Sequence, residues 1–398
     1  MTDPTRTTHR HDPSAPLSRG ASLPVTASDG TGRRTAGYQP GLAWFAAIGG
    51  FQVFVLVLLG AFTTSIGAGM IFPDWPLSNG SLNPAGWLSD VAMFAEHSHR
   101  LSAGLMSLIT LALALWLWRR EARPWLRRLG YLAVALVFAQ ALLGGLRVLL
   151  DHLHIDAIET SVGRLFAMGH ACLAQIYVCV LLAIALSLSR AWIDAAGGRD
   201  GKDERDRQDA GAEAARTPGW RRAGVFCCAL LLAQLGVAAV MRHSFAGLAI
   251  PVFPHSTPEG GWLPAAWDFR VGIHFAHRVL ALALTISLAV LVVRIWLDRV
   301  ASAGVRIAAG AVVALVALQV TLGALSVLTY RNPHYTTAHV IVGALLLATT
   351  FGLTWWSWRP AGGSDPVSLA GAGHQAASPG DAPRRRSGSN AAAPSASV

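Results

Sequence analysis

The sequence predicts an all-α integral membrane protein: eight transmembrane helices forming two parallel-repeat four-helix bundles. Three observations carry this: a shortage of charge, eight long apolar runs, and motifs that recur between the two halves of the chain. Of 398 residues, 53% are hydrophobic and 14% charged. A soluble domain carries about 25% charged residues, so much of this chain avoids water. Crossing a bilayer core takes roughly 20 apolar residues as a helix. Backbone groups in lipid must pair within their own segment, and the runs lack the alternation of strands, so helices are expected.

In chain order, residues 1–40 begin as a polar, Pro- and Thr-containing stretch read as a disordered cytoplasmic tail. They lack the apolar core of a signal peptide. Apolar runs follow at 41–71, 101–118, 129–146 and 165–189, giving a first half over 41–190. Residues 191–220 read as a mixed-charge cytoplasmic linker. Runs at 223–241, 279–293, 307–329 and 335–358 give a second half over 221–359. The sixth run extends backwards through Val271–Arg278. Residues 360–398, rich in Gly, Ala, Ser and Pro, read as a second disordered cytoplasmic tail.

The net charge of +10 is distributed as a topology signal, not as a nucleic-acid footprint. Arg119, Arg120, Arg123, Arg127 and Arg128 follow the second run, and Arg294, Arg299 and Arg306 follow the sixth, whereas 72–95 has no Lys or Arg. The positive-inside rule therefore puts the even-to-odd connections and both termini in the cytoplasm. A multi-pass protein of the cell (plasma) membrane is expected. Cys172, Cys179, Cys227 and Cys228 all fall inside runs and read as small apolar packing residues.

The halves resemble each other. Glu96-His97-Ser98-His99-Arg100 opens the second span and His274-Phe275-Ala276-His277-Arg278 the sixth. Gln140, Gly144, Leu146 and Val148 match Gln319, Gly323, Leu325 and Val327 at identical spacing. Pro84-Ala85-Gly86-Trp87 echoes Pro264-Ala265-Ala266-Trp267. An offset of about 180 residues links all three, and four-helix units that each return to their starting side should be parallel.

The repeat makes His99 and His277 equivalent, and His170 and His339 likewise, all near the outer face. A lone histidine in a span is most often simply packed. Four at matched depth are different, because ionisable groups in a membrane are costly and functional by default. Neutral imidazole is an ordinary axial ligand of haem iron. Each half supplies one facing pair: His99 with His170, His277 with His339. Zinc would want more ligands in a compact tetrahedron. Glu96, His99 and Arg100 can share one helix face, with His97 turned away. The matching face carries His274, so one acid breaks the repeat. Arg100 and Arg278 are candidates for haem propionates, with anchoring at the lipid interface the competing role.

These residues resemble haem A synthases, the membrane enzymes that convert haem O to haem A. The resemblance rests on Glu96-x-x-His99-Arg100, on Pro73-Asp74-Trp75-Pro76-Leu77 followed by Gly80, and on the places of His170, His277-Arg278 and His339. It runs over roughly residues 45–358. Some members carry a cysteine pair in the first outer loop; here Ser78 follows the Trp-Pro-Leu run and the loop has no Cys.

The resemblance implies a resident haem b on His277 and His339, and substrate haem O in the half with Glu96, His99 and His170. It implies oxidation of a haem methyl to a formyl group through an alcohol and a geminal diol, with Glu96 as the catalytic carboxylate. Implied partners are the lipid bilayer, a haem O synthase and cytochrome oxidase assembly factors, with a homo-oligomer left open. Two other classes stay open at this point: a bis-histidine electron carrier, and a non-catalytic haem-handling protein. Trp75, Trp87, Trp262 and Trp267 crowd the long outer loops and read as an interfacial aromatic belt.

Overall fold

The computed structural model describes residues 34–196, 218–299 and 301–359. The expected tails, apart from residues 34–40, and most of the expected linker lie outside the described residues. The described chain is nearly all helical, and eight helices are long and apolar enough to cross a membrane. They are α1 (Pro40–Ser65), α2 (Val91–Arg120), α3 (Pro124–Leu149), α4 (Val162–Leu188), α5 (Arg221–His243), α6 (Phe269–Leu297), α7 (Ala303–Leu328) and α8 (Pro333–Trp356). A short helix over Arg190–Ala196 follows α4, and the α3–α4 connection folds as a tiny antiparallel pair, His154–Ile155 with Thr160–Ser161.

Two boundaries differ from the apolar runs. Helix α1 ends at Ser65 rather than near 71, and α2 starts at Val91 rather than near 101. Glu96 and Arg100 interrupt the apolar pattern but do not interrupt the helix, so the Glu96–Arg100 motif lies inside α2. A carboxylate cap marks the true start: Asp90 accepts from the Met93 amide at 2.8 Å. The other even-numbered helices begin the same way, with Ser161, Asp268 and Asn332 accepting from Arg164, Val271 and His334 amides. Each such cap stabilises its helix by about 1 kcal/mol.

Helix neighbours close two rings. Helices α1–α2, α2–α3, α3–α4 and α4–α1 touch in turn, and so do α5–α6, α6–α7, α7–α8 and α8–α5. The rings meet through α1–α8, α4–α5 and α4–α8. Helices α4 and α8 are accordingly the most enclosed of the eight. Each ring has its own apolar cluster. One is built on Leu42, Met106, Leu113, Leu126 and Ile184. The other is built on Leu231, Leu288, Leu291, Val312 and Leu347. All four cysteines are free, as the packing reading expects.

At the arginine-rich end, Glu121 is fully buried and paired with Arg123 at 2.8 Å, while Arg123 also donates to the Ser187 carbonyl of α4. Residues 34–39 lie against this end. The Thr35 amide donates to Arg120, and Thr35 accepts from the Ala122 amide. The histidines lie at the opposite end, with the long loops 66–90 and 244–268.

Helices α5 and α8 approach closely at Gly224, where an added Cβ would come 2.5 Å from Thr354 Oγ1. Gly236, on the same helix, has open space around it. We expect Gly224→Leu to cost about 1–3 kcal/mol by overpacking, seen as a lower thermal unfolding temperature in detergent. Gly236→Leu should change it far less. Equal losses for both would contradict this packing.

Candidate functional site

The four singled-out histidines sit about two turns into their helices and point across their own ring. His277 of α6 faces His339 of α8, with ring centres 6.5 Å apart. His99 of α2 and His170 of α4 are likewise within electrostatic reach of each other.

Three of the rings rest on glycines of a neighbouring helix. A Cβ at Gly60 would come 2.8 Å from His99 Cε1. At Gly144 it would come 3.3 Å from His170 Cε1, and at Gly323 3.1 Å from His339 Cε1. The repeated Gly144 and Gly323 are therefore seats for imidazoles.

Hydrogen bonds fix which nitrogen carries the proton. His170 Nδ1 is 3.0 Å from the Gln140 carbonyl, and His339 Nδ1 is 3.1 Å from the Gln319 carbonyl. A carbonyl only accepts, so Nδ1 holds the hydrogen and Nε2 is left with its lone pair. That is the arrangement of a metal-binding histidine whose second nitrogen is tied to the backbone. The Gln140 side chain returns the contact by donating to the His170 carbonyl at 3.0 Å. Gln319 Nε2 stands 3.3 Å from His339 Nε2, and Gln234 Nε2 lies 3.1 Å from His277 Nδ1. The carboxamide oxygens of Gln140, Gln234 and Gln319 are buried with no hydrogen-bond partner among the described residues.

These observations test whether haem fits. His277 and His339 face each other with ring centres 6.5 Å apart, and imidazole is an ordinary ligand of haem iron. His170 Nε2 keeps its lone pair, and only the neutral amides of Gln319 and Gln234 face the His339 and His277 ring nitrogens. Glycines seat three of the four rings, so the residues fit.

Glu96, Arg100 and their counterparts are directed at the loops. Glu96 accepts from the Ile71 amide at 2.6 Å and the Phe72 amide at 3.2 Å, and pairs with Arg100 at 2.5 Å. Arg100 also donates to the Phe72, Asp74 and Leu77 carbonyls. In the second half, His274 accepts from the Ile250 amide at 3.2 Å. Arg278 donates to the Ile250, Val252 and His255 carbonyls. The same clamp is thus built twice, with an acid in one copy and an imidazole in the other. Both guanidiniums hold loop backbone, a role that spacing along the helix could not reveal.

His97 turns away from His99, as the helical spacing predicts. Its Nδ1 lies 2.9 Å from Ser78 Oγ, and its ring packs edge-on to Trp87. Loop 66–90 is closed further by Asp74, which accepts from the Asn79 and Gly80 amides at 2.8 and 2.7 Å. Asn79 and Gly80 both have positive φ, which suits this tight turn. Trp75 lies over Gly145, where a Cβ would come 2.6 Å from its ring. The adjacent glycines 144 and 145 therefore seat His170 and the loop tryptophan respectively. Trp262 and Trp267 are mostly exposed, in keeping with a belt.

The sequence signal missed the glutamines. Gln140 and Gln319 stand out only as repeat matches, and Gln234 has no partner in the pattern. An amide one turn from a glycine seat is the feature that could have found the first two.

A family model described as cytochrome oxidase assembly protein matches residues 43–351. A haem A synthase of Bacillus licheniformis is 30% identical over 237 residues, covering 58% of this chain and 68% of the relative. One from Shouchella clausii is 26% identical over 317 residues, covering 79% of this chain and 94% of the relative. One from Lysinibacillus sphaericus is 28% identical over 323 residues, covering 78% and 92%.

Burial works to raise the Asp74 carboxyl, but the Gly80 and Asn79 amides and the Arg100 charge outweigh it and hold it below its ordinary value. A carboxylate depressed in the folded state stabilises above its unfolded pKa, and that stability is lost as pH falls through the folded value. Loop 73–80 should therefore stay closed at neutral pH and loosen below about pH 4. Amide exchange of these residues, corrected for intrinsic rates, should rise on acidification in the wild type but not in Asp74→Asn. A pH-independent wild-type loop would contradict the assignment.

Proposed function

The chain belongs to the cytochrome oxidase assembly protein family, and on that premise we propose that it is a membrane haem A synthase, oxidising a methyl group of haem O to the formyl group of haem A. The observation that carries the reading is the His277–His339 pair, 6.5 Å apart with His339 tied through Nδ1. It lies on a chain matched from 43 to 351. An electron carrier and a non-catalytic assembly protein are not favoured, since the relatives are named haem A synthase.

In this reading the halves 41–190 and 221–359 are parallel repeats with different duties. His277 and His339 hold a resident haem b. His99 and His170 hold the haem O to be modified. When bound, the haem irons supply the redox chemistry that removing hydrogen from a methyl group demands. The chain's own groups position and charge the site. Gln140 and Gln319 fix the tautomers of His170 and His339 through their carbonyls. Arg100 and Arg278 contribute by pinning the two loops as lids that keep water from the histidine end.

Glu96 is the catalytic carboxylate. Three donors hold it: the Ile71 and Phe72 amides and Arg100. It lies one turn from His99 on α2, and in this reading it exchanges a loop contact for a proton from the substrate side. His274, at the matching place, brings no negative charge. The family's setting further implies a haem O synthase as supplier and oxidase assembly factors as recipients. Both termini face the cytoplasm of the cell (plasma) membrane, a placement supported by Arg119, Arg120, Arg123, Arg127 and Arg128.

Pigments extracted from membranes that receive haem O test both assignments. Glu96→Ala should retain bound haem but yield haem O or a hydroxylated intermediate; a normal haem A yield would refute its role. His277→Leu should abolish the resident b-type absorbance. Its survival unchanged would show that the halves are assigned the wrong way round.

A further inference from the structure

Four arginines and a histidine outside the paired-histidine sites converge at the histidine end, where the two rings meet. Arg147 ends α3, Arg164 opens α4, Arg242 and His243 end α5, and Arg331 precedes α8. Arg147 lies within electrostatic reach of Arg164, His99 and His170. Arg242 is within reach of Arg331, Arg147 and His339. His243 stands among Arg147, Arg242, Arg164 and His170.

Among the described residues, none of these arginines makes a salt bridge. Asp151 and Glu96 are the carboxylates acting on Arg147. Asp151 already accepts from Ser161 Oγ at 2.5 Å, and Glu96 is held by Arg100 and two loop amides. Among the described residues, Arg242 donates to neutral oxygens of α1, the Ala61 carbonyl at 3.0 Å and Ser65 Oγ at 2.8 Å. The Arg147 guanidinium lies over Gly69, where a Cβ would be 2.6 Å from Nη2. Arg164 sits 5.0 Å over the Phe245 ring.

Like charges gathered at a membrane end repel each other and are costly without counter-charge. A planar guanidinium is the side chain best matched to a carboxylate. Arg147 lies near both histidines of the first pair, and Arg242 near His339 of the second. Arg100 and Arg278 already hold loop carbonyls. We infer that Arg147 and Arg242 receive the carboxylate side chains of the two bound porphyrins, one porphyrin each, with Arg164, His243 and Arg331 completing a shared anion site between the halves. This inference rests on the haem reading of the histidine pairs.

The full chain, produced without haem and placed in nanodiscs, can be titrated with haemin and with haemin dimethyl ester, followed by the Soret band. Wild type should hold haemin about tenfold or more tighter than the ester, the worth of a hydrogen bond to a charged group. Arg242→Gln should erase that preference for one binding event and Arg147→Gln for the other, with ester affinity little changed. Arg242→Lys should restore part of it. A merely structural arginine would weaken acid and ester alike, and that result would overturn the proposal. So would equal wild-type affinities. An acid-over-ester preference that survives in both glutamine variants, with loss of a bound anionic phospholipid by native mass spectrometry, would assign the cluster to lipid phosphate instead. Absence of any saturable Soret shift relative to haemin in protein-free nanodiscs would refute the haem reading itself, and this inference with it.

Discussion

Arg100 and Arg278 each leave a spanning helix and fasten a loop by its backbone carbonyls, and the geometry of the histidine end depends on those two clamps. The loops 66–90 and 244–268 present peptide groups where a helix ladder cannot reach them. A cation on one side and an acceptor on the other, Glu96 or His274, satisfy both kinds of backbone group at once. Buried peptide groups are costly when unpaired. The clamps therefore explain how irregular chain can lie over the helix ends, and why the motif sits inside the helix rather than at its start.

The eight helices were legible in the sequence because lipid imposes a simple rule on composition. Their ends were less so. Glu96 and Arg100 look like a boundary in a hydropathy pattern, and only the Asp90 cap shows that the helix begins earlier. The four histidines were legible through their matched positions. What holds them was not, because Gly60, Gly144 and Gly323 act through the absence of a side chain. Gln140 acts on His170 from another helix. Spacing reports which residues share a face, not what that face meets. The arginines at the junction escaped for a related reason: Arg147 and Arg242 have no counterparts in the other half, so a reading built on repetition passes over them.

The break at Glu96 and His274 gains a physical meaning. Both accept a loop amide, so the exchange of one for the other leaves the loop in place. It alters charge without altering architecture. The two clamps thereby differ in chemistry at one position while their arginines keep the same kind of grip on loop carbonyls.

Each ring of helices carries its own apolar cluster, and the two rings meet mainly along α1, α4, α5 and α8. A change far from those four helices is thus felt mainly within its own ring, whereas one at Ala348 of α8 or Cys179 of α4 touches the other ring's cluster. Substitutions away from the junction can therefore accumulate in either ring without disturbing the other's core.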